Sequence, residues 1–223
     1  MDNAYSKFTD ARIKANDAMI ALLIGSRLSS ITIHGLDLSE GELLKAYFNE
    51  INLQGHERFN LTSSEALRVL SDAENHLAYM AIPYTLSIYE RFVRDVIKIL
   101  KASECDSIKL MRDDEIRDLK LDKMHAIIFT ELKIRFDPID DGLFNVIRQI
   151  RNRIMHSGGT SGSHVISEYK NMKKEYKAEW ERLAGRPLTS ALKDGRFVFN
   201  DGELFATLAI CQRLVNQINQ STP

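Results

Sequence analysis

Cysteine is scarce in this chain. Cys105 and Cys211 are its only two in 223 residues, and neither sits in a CxxC or Cys/His arrangement with metal-ligand spacing, so they read as reduced core thiols. An excess charge of one sign is also missing, because 30 Lys and Arg meet 31 Asp and Glu for a net charge of −1. A chain without a global positive field cannot hold nucleic acid nonspecifically, which excludes a histone-like or coating protein; any RNA affinity has to come from a local patch. Long hydrophobic runs are absent too. No stretch approaches the roughly 20 apolar residues that span a bilayer, and no apolar run at the N-terminus leads to a small-residue cleavage site. The expectation is a soluble, cytoplasmic chain without metal or cofactor.

What is present is helical periodicity. With 44% hydrophobic and 27% charged residues, the chain can build one substantial core, or a core and a helical appendage. Apolar residues at helical spacing predict a first helix from Asn3 to about Ser29. Ile31 to Leu38 is short and β-branched and reads as extended, with a helix-like run from Glu40 to Ile51 after it. Thr62 and Glu65 form a capping box that opens a long helix. Pro83 should kink that helix or divide it from the apolar run Leu86 to Leu100, which reads as the central core helix. Asp113-Asp114-Glu115 starts a short surface helix, and a further helix is expected to reach Phe136 and stop at Asp137-Pro138. Asp140-Asp141-Gly142 then opens an amphipathic run that Ser157-Gly158-Gly159 closes. A flexible Gly/Ser connection to Ser163, a charged helix from Val165 to about Leu183, a β-like pair around Phe197 to Phe199 and a last helix from Gly202 to Asn219 complete the chain. The fold class is all-α, a helical bundle with a small extended insertion, divided into an N-terminal helical region (1–60) packed on a bundle (61–223).

Chemistry concentrates on one helix end. Successive helical residues are about 100° apart, so Arg148, Asn152 and His156 form a stripe, with Arg151 and Met155 on its flank. An imidazole moves protons near neutrality, and a guanidinium stays cationic and offers phosphate two parallel N–H donors. Metal-free RNA cleavage needs these groups. The 2′-hydroxyl loses a proton, the leaving 5′-oxygen gains one, and fixed donors meet the charge on the pentacoordinate phosphate. One chain offers a single such His, and two copies about a two-fold axis would supply a pair. The Arg-to-His spacing alone is expected by chance roughly 0.4 times at this composition; requiring Asn after the Arg lowers that to roughly 0.02,.

Arg151-Asn152-x-x-x-His156 resembles the RNxxxH signature of the HEPN superfamily, small all-α bundles found among toxins, antiviral defence systems and RNA-processing enzymes. The segment Tyr84 to Leu100, centred on Tyr89-Glu90-Arg91-Phe92, is similar to the long helix that packs against the motif helix in that family. Roughly residues 65 to 220 can be laid out as its bundle. The resemblance implies a metal-independent endoribonuclease without cofactor, active as a homodimer on RNA, in defence or as the toxin of a toxin-antitoxin pair with an antitoxin or defence partner. Its alternative is a noncatalytic HEPN-like dimerisation or protein-interaction module. Position by position, Arg151 would hold the scissile phosphate, His156 would act as general acid or base, and Asn152 would orient the site. Arg148 and Arg153 would be auxiliary contacts. One departure is informative: in the toxin branch silenced by a nucleotidyltransferase, a modified Tyr stands two residues after the His, where this chain has Gly158.

Each of these residues also has a plainer reading. His156 could simply be a helix-end histidine beside the last carbonyls. Arg148 and Arg153 could be solvated or paired with Asp140 and Asp141. Glu90, costly in an apolar helix unless paired, could anchor Arg148 or Arg151, or meet Arg94 one turn on. Lys170 and Lys174, with Lys173 and Lys177, could extend an RNA surface, yet the interleaved Glu168, Glu175, Glu179 and Glu181 favour a salt-bridged solvent face. His34, His56, His76, His125 and His164 are scattered, with His164 a lesser candidate through its nearness to the motif loop. Gly158 to Ser163 lacks the Lys of a phosphate loop.

Overall fold

Apolar residues at helical spacing become nine α-helices in the computed structural model, which describes residues 2–33, 63–103, 105, 108–160 and 162–221. In chain order these are α1 (Asp2–Ile33), α2 (Ser63–Ser71), α3 (Ala73–Ala102), α4 (Asp113–Arg117), α5 (Leu121–Glu131), α6 (Pro138–Ser157), α7 (Ser163–Asn171), α8 (Lys174–Ala184) and α9 (Asp201–Gln220). A 3-10 turn (Leu188–Ala191) and a two-stranded antiparallel sheet of β1 (Leu192–Lys193) and β2 (Arg196–Phe197) lie between α8 and α9. The chain is therefore an all-α bundle with a small extended insertion, as its sequence predicts.

The core gathers on α3. Leu86, Tyr89, Phe92, Val93, Val96, Ile97 and Leu100 are all buried, and the Tyr89 ring meets Phe144 of α6 edge-on at 4.8 Å. Helices α6, α8 and α9 pack on one another, and α7 packs on α6. Two compact units are distinguished, Met1–Asn16 with Ala78–Pro223, and Asp17–Leu77. Ala4 and Phe8 thus belong to the bundle core, with Phe8 5.5 Å from Phe92, and within the second unit Arg27 pairs with Glu74 at 2.7 Å. The boundary expected near residue 60 lies outside the described residues, as do Thr62 of the capping box, the run 40–51 and the remainder of the extended segment after Ile33.

Several local expectations are corrected. Ile31 to Ile33 end α1 as helix, because a few tenths of a kcal/mol of β-branched propensity is easily overridden by the helix they continue. Pro83 does not divide its helix: α3 runs unbroken from Ala73 to Ala102, and the break falls earlier, at Asp72. Tertiary burial on both sides of Pro83 outweighs the one amide it removes. Asp137-Pro138 begins α6 rather than ending the helix before it. The Asp137 carboxylate accepts from the amides of Ile139 and Asp140, and proline suits a first helical position whose amide would have no partner,. Helix α5 stops at Glu131, just before Lys133 at φ 53°. The charged helix is two helices, broken at Met172 and Lys173.

The connection after α6 is not a flexible linker. Asp194 and Gly195, both at positive φ, turn the β-hairpin,. The hairpin is stitched back: Phe197 N donates to Gly159 O at 3.1 Å, Gly162 N to Gly195 O at 3.3 Å, and Thr160 bridges Arg196. Tyr79 of α3 donates its hydroxyl to Phe197 O at 2.9 Å and closes on Gly159, where a side chain would collide with that hydroxyl,.

Candidate functional site

Helix α6 positions the motif. Leu143, Phe144, Val146, Ile147, Ile150 and Ile154 are buried on one side, leaving Arg148 and Arg151 half-buried and Asn152, Met155 and His156 exposed. Its C-terminal end is fixed by Gly158 at φ 55°, whose left-handed turn lets Gly159 N reach Arg153 O at 3.0 Å,. The glycine stop is where the sequence puts it.

Beside this helix lies a cleft of about 280 Å³. Three cations, Lys120, Arg148 and Arg151, and two carboxylates, Glu90 and Asp122, line it, over a floor of Leu86, Leu119 and Leu121, with Asn152 completing the wall. Arg151 Nη1 donates to Asn152 Oδ1 at 3.2 Å, so the two neighbouring signature residues are coupled directly. Arg151 Nη2 stands 3.9 Å from Glu90 Oε1, close enough for attraction and too far for a hydrogen bond,. Arg151 Nε is buried and has no hydrogen-bond partner among the described residues. Of the partners expected for Glu90, Arg151 is the one the fold supplies; no ion pair joins Glu90 to Arg94 among the described residues.

Arg148 corrects a second expectation. It pairs with Asp122 Oδ1 of α5 at 2.5 Å and touches Asn145 Oδ1 at 3.3 Å, while Asp140 is taken by Arg213 at 3.0 Å. Among the described residues no ion pair joins Arg148 to Asp140 or Asp141, although its charge still acts on the Asp141 carboxyl. The Arg148 guanidinium holds the Asp122 carboxyl below its usual range, and burial raises Asp141.

His156 stands exposed in the last turn of α6 and has no hydrogen-bond or ion-pair partner among the described residues. It does not line the cleft, and neither does Arg153, whose carbonyl serves the helix stop. Lys170 and Lys174 are exposed on α7 and α8, away from the cleft lining. His164 meets Glu168 at 3.4 Å on the surface of α7. Sequence reasoning passed over Lys120 and Asp122 for good reason: they sit at the start of α5, and no local pattern ties them to a helix 26 residues later.

Behind the cleft is a buried aromatic nest. His125 Nε2 lies 2.8 Å from the Tyr89 hydroxyl, with Phe136 edge-on to its ring at 5.1 Å and Phe144 at 5.7 Å. Burial, helped by Arg148 nearby, pushes the imidazole down to about 4, so it is neutral near pH 7 and holds the tyrosine as a structural pair.

Among the described residues no group of three His, Cys, Asp or Glu could hold a metal ion, and no helix is long and apolar enough to cross a membrane. No family model, curated protein or solved structure matches the chain.

Proposed function

We propose that this chain is a HEPN-type, metal-independent endoribonuclease that works as a homodimer in the cytoplasm, in defence or as the toxin of a toxin-antitoxin pair. The observation that supports it is the coupling of Arg151 to Asn152 on the wall of a cation-lined cleft, with an exposed His156, unpartnered among the described residues, about one and a half turns further along the same pinned helix,. A free imidazole is available for proton transfer, and a guanidinium with unused donors is available to phosphate.

In this reading the 2′-hydroxyl loses its proton to a His156, its oxygen bonds to phosphorus, and the bond to the 5′-oxygen breaks. A second His156, from the other copy, returns a proton to that oxygen, leaving a cyclic phosphate and a 5′-hydroxyl. Arg151 meets the charge that builds on the phosphoryl oxygens, and Asn152 holds Arg151 in place. The purified chain should cut single-stranded or loop RNA in the presence of EDTA, and a His156→Ala variant should lose that activity. Full cleavage by that variant would overturn the assignment. A noncatalytic HEPN-like dimerisation or interaction module is favoured by one feature, Met155 beside His156, 58% exposed. It predicts a dimer and no cleavage by the purified chain.

A further inference from the structure

Buried N–H groups without partners are rare in folded proteins, and one that faces a cleft has a donor to offer there. Arg151 Nε is such a group, and it belongs to a side chain that lines the cleft. Among the described residues Arg148 spends only Nη1, on Asp122 and Asn145, and its other donors are unused. Lys120 completes the set, with no ion pair among the described residues. Three cations with spare donors against two carboxylates leave the cleft net positive inside a chain whose total charge is −1.

The two carboxylates differ in how they are held. Glu90 is 26% exposed and projects from the core helix α3, whereas Asp122 is 71% exposed at the first turn of α5. An exposed pair contributes little net energy, because water takes over each partner at small cost. Asp122 can therefore leave Arg148 to an incoming anion while Glu90 stays to aim Arg151. The apolar side chains of Leu86, Leu119 and Leu121 suit the face of a sugar or unpaired base, and about 280 Å³ is of the order of one nucleotide unit. Arg148 and His156 are eight residues apart, roughly 12 Å along the helix. One phosphate cannot engage both.

We infer that the cleft is a phosphate subsite for single-stranded RNA, carried whole by one protomer, in which Lys120 and Arg148 bind the phosphate next to the scissile one and Asp122 is the internal counter-ion it displaces. That the phosphate belongs to RNA rests on the ribonuclease reading; the phosphate chemistry of the cleft stands on the residues themselves.

The test is fluorescence anisotropy with the full chain and an uncleavable 2′-O-methyl octaribonucleotide across a salt series. Asp122→Asn should tighten binding about twofold to fivefold at low salt. Lys120→Gln and Arg148→Gln should each weaken it and lower the slope of log affinity against log salt by about 0.7. Circular dichroism checks the fold of each variant, and all three substitutions are at solvent-accessible side chains. Titration with adenosine monophosphate alone separates the sources. The same variant order with the oligonucleotide but not with the mononucleotide supports an RNA subsite, and the same order with both supports a site for free nucleotide phosphate as well. Affinities and salt slopes that do not change in any variant overturn the subsite. Cleavage of unmodified RNA in EDTA, measured separately, judges the ribonuclease reading, so either can fail without the other.

Discussion

The two ends of α6 each carry a charge cluster, and they are built in opposite ways. At the N-terminal end Asp140 is buried and saturated: Arg213 donates to it at 3.0 Å and Gln217 at 2.8 Å. Arg213 reaches on to Glu179 at 2.6 Å, and Arg182 closes on Glu179 with two bonds of 2.8 Å. This network links α6, α8 and α9. At the other end Glu90 attracts Arg151 from 3.9 Å, and among the described residues neither Arg151 Nε nor His156 has a bonding partner. Saturated polar groups hold helices together, while groups left short of partners are held in place by the packing around them and remain open to a ligand.

That contrast can be broken by experiment. The largest effect belongs to the unsaturated end: Arg151→Gln should lower the rate of RNA cleavage by roughly 10²- to 10³-fold, with a melting temperature within a few degrees of the wild type. A matching collapse in stability would show Arg151 to be structural. Next comes pH. The His125 imidazole titrates near 6.5 when unfolded and is pushed down to about 4 by burial, so between those values the unfolded chain binds a proton the folded chain refuses. Stability is full above pH 6.5 and falls as pH drops toward 4, by up to about 3 kcal/mol. Urea unfolding at a series of pH values checks this, and His125→Phe should flatten the fall across that window. Glu179, held down to about 2 by Arg182 and Arg213, adds a separate loss as pH falls from about 4.5 toward 2. The smallest effects separate the two arms of the saturated network. Arg213→Ala leaves the buried Asp140 with Gln217 but without its counter-charge, and should cost about 2 kcal/mol in unfolding free energy. Arg182→Ala, at an exposed position, should cost no more than about 0.5 kcal/mol, and both variants should cleave RNA normally per folded molecule.

Much of α6 was legible in its sequence because its signals are local. Apolar spacing, the Asp137-Pro138 start and the Gly158-Gly159 stop all lie within the helix or next to it, although Asp137-Pro138 reads equally as the end of a preceding helix until Pro is given its place at N1. The all-α class followed from the same periodicity. The cleft was illegible for the complementary reason. Its walls come from α3, from the start of α5 and from α6, so Lys120 and Asp122 join Arg148 only through the bundle's packing. Pro83 shows the same limit: a local breaker signal lost to long-range burial of Leu86, Tyr89 and Phe92. The hairpin that converts the glycine linker into a fixed connection likewise depends on residues that lie beyond two intervening helices.

That stitching has a kinetic corollary. The bonds from Phe197 to Gly159 and from Tyr79 to Phe197 close only after the chain has run out through α7 and α8 and returned. Contacts of such sequence separation form late in folding, because their loop-closure entropy is repaid only once the rest is in place. The connection that leaves α6 is therefore among the final pieces of the bundle to set. A nascent chain stopped short of the hairpin would carry the complete signature, Arg151 to His156, on a capped helix whose exit is not yet tied to the rest of the bundle.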